Sequence, residues 1–229
     1  MAEAEPVASP QPPCNICGGT SFRAGFKGRL SRGKLPSCAT CQSVERHRMI
    51  YDVYAQLRPL LAKWRLLAYA PDGSVDRKWF LEFTPSIHGR LNSLDMMRTG
   101  LPDGRYDIIM SNHVLEHVPD TYAAIAESLR VVGPEGLVHI NVPSPMRDWE
   151  TRDWGFADPA VNEHYRQYGA DFPMLIRQRF PDLGLLVVIW RDPVTDLHDV
   201  IYVLSRGQRR LHAVGALLQR VPIPVVRFA

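Results

Sequence analysis

The stretch "YDIIMSNHVLEHVPD", residues 106–120, decides the fold. Its apolar run Ile108–Met110 ends in Ser-Asn-His, and Glu116-His117 and Pro119-Asp120 follow. A continuous apolar run of this kind predicts a strand covered on both faces, as parallel sheets use. Asp120 then caps a predicted helix over 120–132. Tyr122, Ile125, Ala126 and Leu129 form its apolar face and Gly133 its stop. Residues 136–143, "GLVHINVP", predict the next strand.

Outward from this unit the pattern repeats. Ile50, Val53, Tyr54, Leu57 and Leu61 recur at helical spacing within 43–62. "WRLLAYA" (64–70) predicts a strand ended by Pro71, and residues 72–83 a helix starting near Asp72. Residues 89–95 predict a weaker strand, and 185–191 and 199–205 the last two. Strands alternating with helices imply an α/β fold with a mostly parallel sheet flanked by helices. Ligands of such sheets lie beyond the carboxyl ends of the strands, so Asn112 and His113 are expected to face the cleft.

The 229 residues suffice for one such domain and a small appendage, and 45% of them are apolar. The net charge of +3 says little as a total. Its distribution says more: Arg23, Lys27, Arg29, Arg32, Lys34, Arg46 and Arg48 cluster within 14–48 against Glu45 alone. No stretch is apolar enough for a membrane span. The Pro-rich, acidic start, residues 1–13, reads as a disordered tail rather than a signal peptide, so a cytoplasmic location is expected.

The four cysteines all lie in "CNIC" and "CATC": Cys14, Cys17, Cys38 and Cys41. Two C-x2-C turns at this separation predict a zinc ribbon over 14–42. Four thiolates fill a tetrahedral shell, so the expected Zn2+ is structural, and its binding would fold a segment too small for its own core. The remaining organisation is an α/β domain over 43–206 and an amphipathic C-terminal segment, 207–229. In that segment Leu211, Val214, Leu217, Leu218 and Val221 share a helical face, and Pro222 and Pro224 end the helix. It is expected to dock on the body or on a second copy in a homo-oligomer.

The stretch 106–143 resembles the class I S-adenosylmethionine-dependent methyltransferases, which carry an H-V-L-E-H-V-x-D turn after such a strand. The ribbon followed by "QSVERHR" (42–48) and the later "EHYRQYGADF" (163–172) are similar to a bacterial subset with an N-terminal zinc-ribbon-like segment. The resemblance implies a Rossmann-like fold, S-adenosylmethionine as cofactor and methyl transfer as activity. It implies that Ala70, Asp72 and Gly73 form the cofactor loop, with Asp72 at the cofactor's amino group, Asp95 at its adenine, and Asn112 at the strand end. Two departures stand out: the loop holds the single glycine Gly73, and with Asp95 matched to the adenine no further acid remains to grip the ribose.

His113 and His164 are the candidate catalytic bases, because a histidine can take a proton near neutral pH. Trp154, Arg166 and Tyr168 are candidate substrate contacts, with Trp149 and Phe156 as further aromatics of a lid. Glu116 and His117 are expected to brace the following helix; with no third histidine nearby, a metal is not expected there. The leading expectation is O- or N-methylation of a small molecule, a sugar or secondary metabolite. Alternatives are an RNA methyltransferase using the basic ribbon, and a protein of this fold that binds without transferring methyl groups.

Overall fold

The computed structural model describes residues 11–143, 145–219 and 225–228. The N-terminal segment pairs two short strands, β1 (Phe22–Arg23) and β2 (Ser37–Cys38), antiparallel. Helix α1 (Glu45–Leu61) follows, then β3 (Arg65–Tyr69), β4 (Glu82–Ser86), β5 (Ile108–Asn112), α2 (Thr121–Val132) and β6 (Leu137–Asn141). A hairpin of β7 (Arg152–Asp158) and β8 (His164–Gln167) precedes α3 (Phe172–Arg179). The chain ends through β9 (Gly184–Arg191), β10 (His198–Ser205), α4 (Arg209–Leu218) and β11 (Val225–Phe228).

Seven strands form one sheet in the order β11-β9-β10-β6-β5-β3-β4. Strands β3 to β6 are parallel, while β10, β9 and β11 each run antiparallel to their neighbours. Alternate residues of each central strand serve opposite faces. Leu67, Ile109, Val138 and Ile140 pack with Ile125 and Leu129 of α2 and Ile176 of α3. Leu66, Ile108, Met110 and Leu137 pack with Val53 and Leu57 of α1 and Val214 of α4. Two-sided burial is why these strands read as unbroken apolar runs.

Asp120 caps α2 by accepting hydrogen bonds from the Tyr122 and Ala123 amides at 2.9 Å, and Gly133 ends it with φ 70°. The expected helix over 72–83 is absent. Only a 3-10 turn, Arg77–Trp79, precedes β4, so the second strand of the sheet lies at 82–86 and not at 89–95. As an edge strand, β4 is mostly half-exposed, so it lacks an apolar run, and the edge also tolerates Pro85.

The C-terminal helix docks on the body: Leu211, Val214 and Leu218 are buried, and Arg210 pairs with Asp107 at 2.8 Å. Asp107 also accepts from the Arg65 amide and Nε at 2.9 Å, anchoring the start of β5. The backbone of 225–228 adds β11 to the sheet beside β9. The predicted stop at Pro222 and Pro224, and residues 1–10 of the predicted tail, lie outside the described residues.

Candidate functional site

The carboxyl ends of β3, β5 and β6 converge with the N-terminal segment. Arg48 of α1 is fully buried and forks onto Asp192, beyond β9, at 2.7 and 2.8 Å. It also donates to the Pro36 and Ser43 carbonyls at 2.8 and 3.0 Å, so one guanidinium joins the cysteine segment, α1 and the sheet. Arg29 pairs with Glu45 at 2.7 Å and Lys34 with Asp196 at 2.7 Å. These pairs engage three of the cations that made the ribbon look basic.

The four cysteines meet. Their sulfurs all lie within 4.8 Å of one another, with Cys14–Cys41 at 3.8 Å and Cys17–Cys38 at 3.6 Å. A tetrahedral zinc with Zn–S bonds of about 2.3 Å spaces its sulfurs about 3.8 Å apart, so this donor set fits that ion.

The loop after β3 holds two residues in the left-handed region, Ala70 at φ 44° and Gly73 at φ 78°. A Cβ built on Gly73 would meet nothing within 4 Å, leaving open space over the backbone there. Asp72 faces inward. It accepts from the Ser74 amide at 3.1 Å and sits 3.3 Å from His47 Nε2 and 3.6 Å from Arg46 Nε. His47 Nδ1 accepts from the Val44 amide at the start of α1, which leaves its Nε2 proton facing Asp72. Salt partners and turn hydrogen bonds hold the Asp72 carboxyl well below the usual range against the opposing effect of burial. These contacts help fix the loop, and Asp72 Oδ2 is buried without a hydrogen-bond partner.

Asn112 has a similar role. Tyr54 Oη donates to His139 Nδ1 at 3.0 Å, His139 Nε2 donates to Asn112 Oδ1 at 3.0 Å, and Asn112 Nδ2 donates to Ser74 Oγ at 3.1 Å. Burial pushes His139 down to about 3, so it is neutral and this relay is directional. Asn112, 4% exposed with both amide atoms engaged, braces the loop from below.

Next to it, Tyr69 Oη is buried without a hydrogen-bond partner at the end of β3. Burial first, then the Glu127 and Asp95 carboxylates, push its ionisation up. Asp95 itself is exposed and caps a turn through the Met97 amide at 2.8 Å. At the end of β4 stands Ser86, whose Oγ accepts from the Leu94 amide at 3.0 Å; the missing ribose acid stays missing.

A cavity of about 530 Å³ is lined by Arg46, Met49, His113, Met146, Arg147 and Asp199 among others. His113 sits at the end of β5 with φ 51°, a conformation costly for a non-glycine residue, and donates its amide to the Asn141 carbonyl at 2.9 Å. Desolvation, then Arg46, push its imidazole down to about 3. Burial pushes the Asp199 carboxyl up to about 6 against hydrogen bonds from the Val200 amide and Asn141. Asp199 escaped the sequence reading because it lies at the start of β10, far from any motif.

The other predicted residues gather elsewhere. Arg166 is buried and donates to Asp153 at 2.7 Å and to the Val118 and Pro119 carbonyls at 2.6 Å. It clamps the β7–β8 hairpin to the turn after β5. Tyr168 is 2% exposed, hydrogen bonded to Thr121 Oγ1 at 2.6 Å, and packs against Phe172. Trp154 Nε1 donates to the His164 carbonyl at 2.8 Å within the hairpin, while Trp149 and Phe156 are exposed. Gly169 passes so close to the backbone that a Cβ would meet Glu150 C at 2.4 Å, which explains the glycine in "QYGAD". His164 lies against His117, ring centroids 4.7 Å apart, and not among the residues lining the cavity. Beside them Glu116 is buried, and desolvation pushes its carboxyl up to about 8.

Residues 72–140 match the family model described as a methyltransferase domain. No curated protein matches the chain in sequence. Among solved structures, the CurJ carbon methyltransferase is 14% identical with a TM-score of 0.49, covering 72% of this chain and 56% of that one. The Burkholderia thailandensis 1,6-didemethyltoxoflavin-N1-methyltransferase, with its substrate and S-adenosylhomocysteine bound, is 18% identical at 0.49, covering 70% and 78%. The methyltransferase CalH with S-adenosylhomocysteine is 12% identical at 0.44, covering 72% and 56%. The chain therefore spans little more than half the length of two of these three. Among the described residues no helix is long and apolar enough to cross a membrane.

Proposed function

We propose that the protein is an S-adenosylmethionine-dependent methyltransferase that methylates an oxygen or nitrogen of a small molecule. The observation that carries this reading is the cavity where His113, at the end of β5 in the matched stretch, and Asp199, at the start of β10, meet the first turn of α1. Its volume of about 530 Å³ is of small-ligand size. When bound, the cofactor supplies a sulfonium-activated methyl group. The backbone of Ala70 and Gly73 would approach its methionyl end, and Asp95 with Tyr69 its adenine. Asp72 and Asn112 hold that loop in place.

Transfer to a hydroxyl or amine needs alignment and removal of a proton. Asp199 has the better-matched base, since its carboxylate forms through about 6, while His113 stays neutral and can orient the acceptor's hydrogen. The four cysteines are proposed to hold a structural zinc that shapes the cavity roof through Arg29, Glu45 and Arg46. The RNA reading loses ground, because Arg29, Lys34 and Arg48 are tied to carboxylates of this chain.

Calorimetry with S-adenosylmethionine and S-adenosylhomocysteine tests the proposal. Both are expected to bind, and Asp95→Ala to weaken binding at least about tenfold, or about 1.4 kcal/mol. No binding by the zinc-loaded protein would overturn it. Binding without methyl transfer to any hydroxyl or amine acceptor would favour a protein that only binds.

A further inference from the structure

We propose that Glu116, His117 and His164 form a second metal site, one for a divalent first-row transition ion. Their ligand atoms all lie within 4.8 Å of one another, and Glu116 Oε1 is 4.0 Å from His117 Nε2. The two imidazoles stand edge to face at 87°.

The independent observation is Glu116 itself. Its residue is 1% exposed, and both carboxylate oxygens are buried without a hydrogen-bond partner. A buried carboxylate lacking partners is strongly unfavourable, and the fold retains it beside two imidazoles. A cation between the three groups would satisfy it.

The site is also built. Trp154 fixes the His164 backbone, and Arg166, two residues on, holds the carbonyls of Val118 and Pro119 directly after His117. One clamp thus sets both histidines against each other across a long sequence gap. Two imidazoles and one carboxylate suit Zn2+, Fe2+, Co2+ or Mn2+ and leave coordination positions open, unlike the four-cysteine cluster. Binding would draw the ligand atoms to about 3.3 Å separation, given metal–ligand bonds of about 2.0–2.1 Å. The exposed His117 ring has the freedom to make most of that movement.

The test uses the full chain with its cysteines loaded with zinc, titrated with Co2+. Expected is one further equivalent, with a visible ligand-field band and no thiolate-to-cobalt charge-transfer band. His164→Gln and Glu116→Gln should each weaken it by roughly a hundredfold or more. Because His164 lies at a hairpin edge, His164→Gln is expected to keep the wild-type circular dichroism spectrum. Cobalt bound only with thiolate character, or bound equally by wild type and both variants, would overturn the site. Neither result bears on whether S-adenosylmethionine binds.

Discussion

Two clusters of potential metal ligands lie in this molecule, and they are built in opposite ways. The four cysteines come in two tight turns joined by a short hairpin, so sequence proximity alone nearly assembles them. Glu116 and His117 share a turn, but His164 reaches them only because β7 and β8 fold back and Arg166 pins the hairpin down. The first kind of site is visible as a spacing. The second exists only after the sheet has formed, and its weakness or strength should follow that of the clamp.

The most disruptive test of the contrast is at the cysteines. Removing the proposed zinc with a chelator, or one ligand by Cys38→Ser, should unfold the segment 14–42, since such sites contribute about 10–16 kcal/mol of metal binding. Hydrogen exchange should show lost protection there while α2 and β6 stay protected. A folded, protected segment in metal-free protein would place its stability elsewhere.

Next in size is the joint between segment and body. Asp192→Ala leaves the fully buried Arg48 charge unpaired, at a cost of about 3–5 kcal/mol. Chemical denaturation measures it; a loss under about 1 kcal/mol would mean the segment sits loosely and the cavity roof is not fixed by it. The second cluster has a smaller lever. Arg166→Leu frees two carbonyls and the half-exposed Asp153, for about 2–3 kcal/mol. Exchange should speed up across 152–167 alone, and cobalt affinity at the histidines should fall about tenfold. Unchanged affinity would show that the hairpin holds His164 without the clamp.

The same contrast explains what could be read from sequence. Asp120 as a cap, Gly133 as a stop and the buried run at 108–112 are local signals, and the structure repeats them. Segment 72–95 misled because its strand sits at the sheet edge: Glu82, Phe83 and Thr84 show neither alternation nor a full apolar run. The strand whose end would face a ribose is β4, and it ends in Ser86, not in an acid. The sequence marks Asp72, Asn112, Arg166 and Tyr168 as ligand contacts, and in the fold their side chains also have partners in the loop, the hairpin and the core. Polar residues near a site do both jobs, and only the partners distinguish them: for Asn112 these are His139 and Ser74, far away in sequence. Asp199 and the Arg48–Asp192 pair carry no motif, since a single buried acid at a strand end has no spacing to betray it.

The smallest effect on stability, and the sharpest on chemistry, is expected at Asp199, in the cavity. Burial raises its folded-state pKa from 3.8 to about 6. The folded protein therefore holds this proton more tightly than the unfolded chain does. Between 3.8 and about 6 the contribution of Asp199 to stability falls as pH rises, and above that window its buried charge remains as a cost. Asp199→Asn removes the charge, so at pH 8 the variant should be as stable as wild type or slightly more so. As the proton acceptor, Asp199 should also set an acid limb in kcat/KM that falls tenfold per pH unit below about 6. In Asp199→Asn that limb should vanish, with activity down by about 100-fold or more, since general base catalysis contributes about 10²–10⁴. A variant that is destabilised but retains the limb would make Asp199 a structural residue and assign the limb to another group.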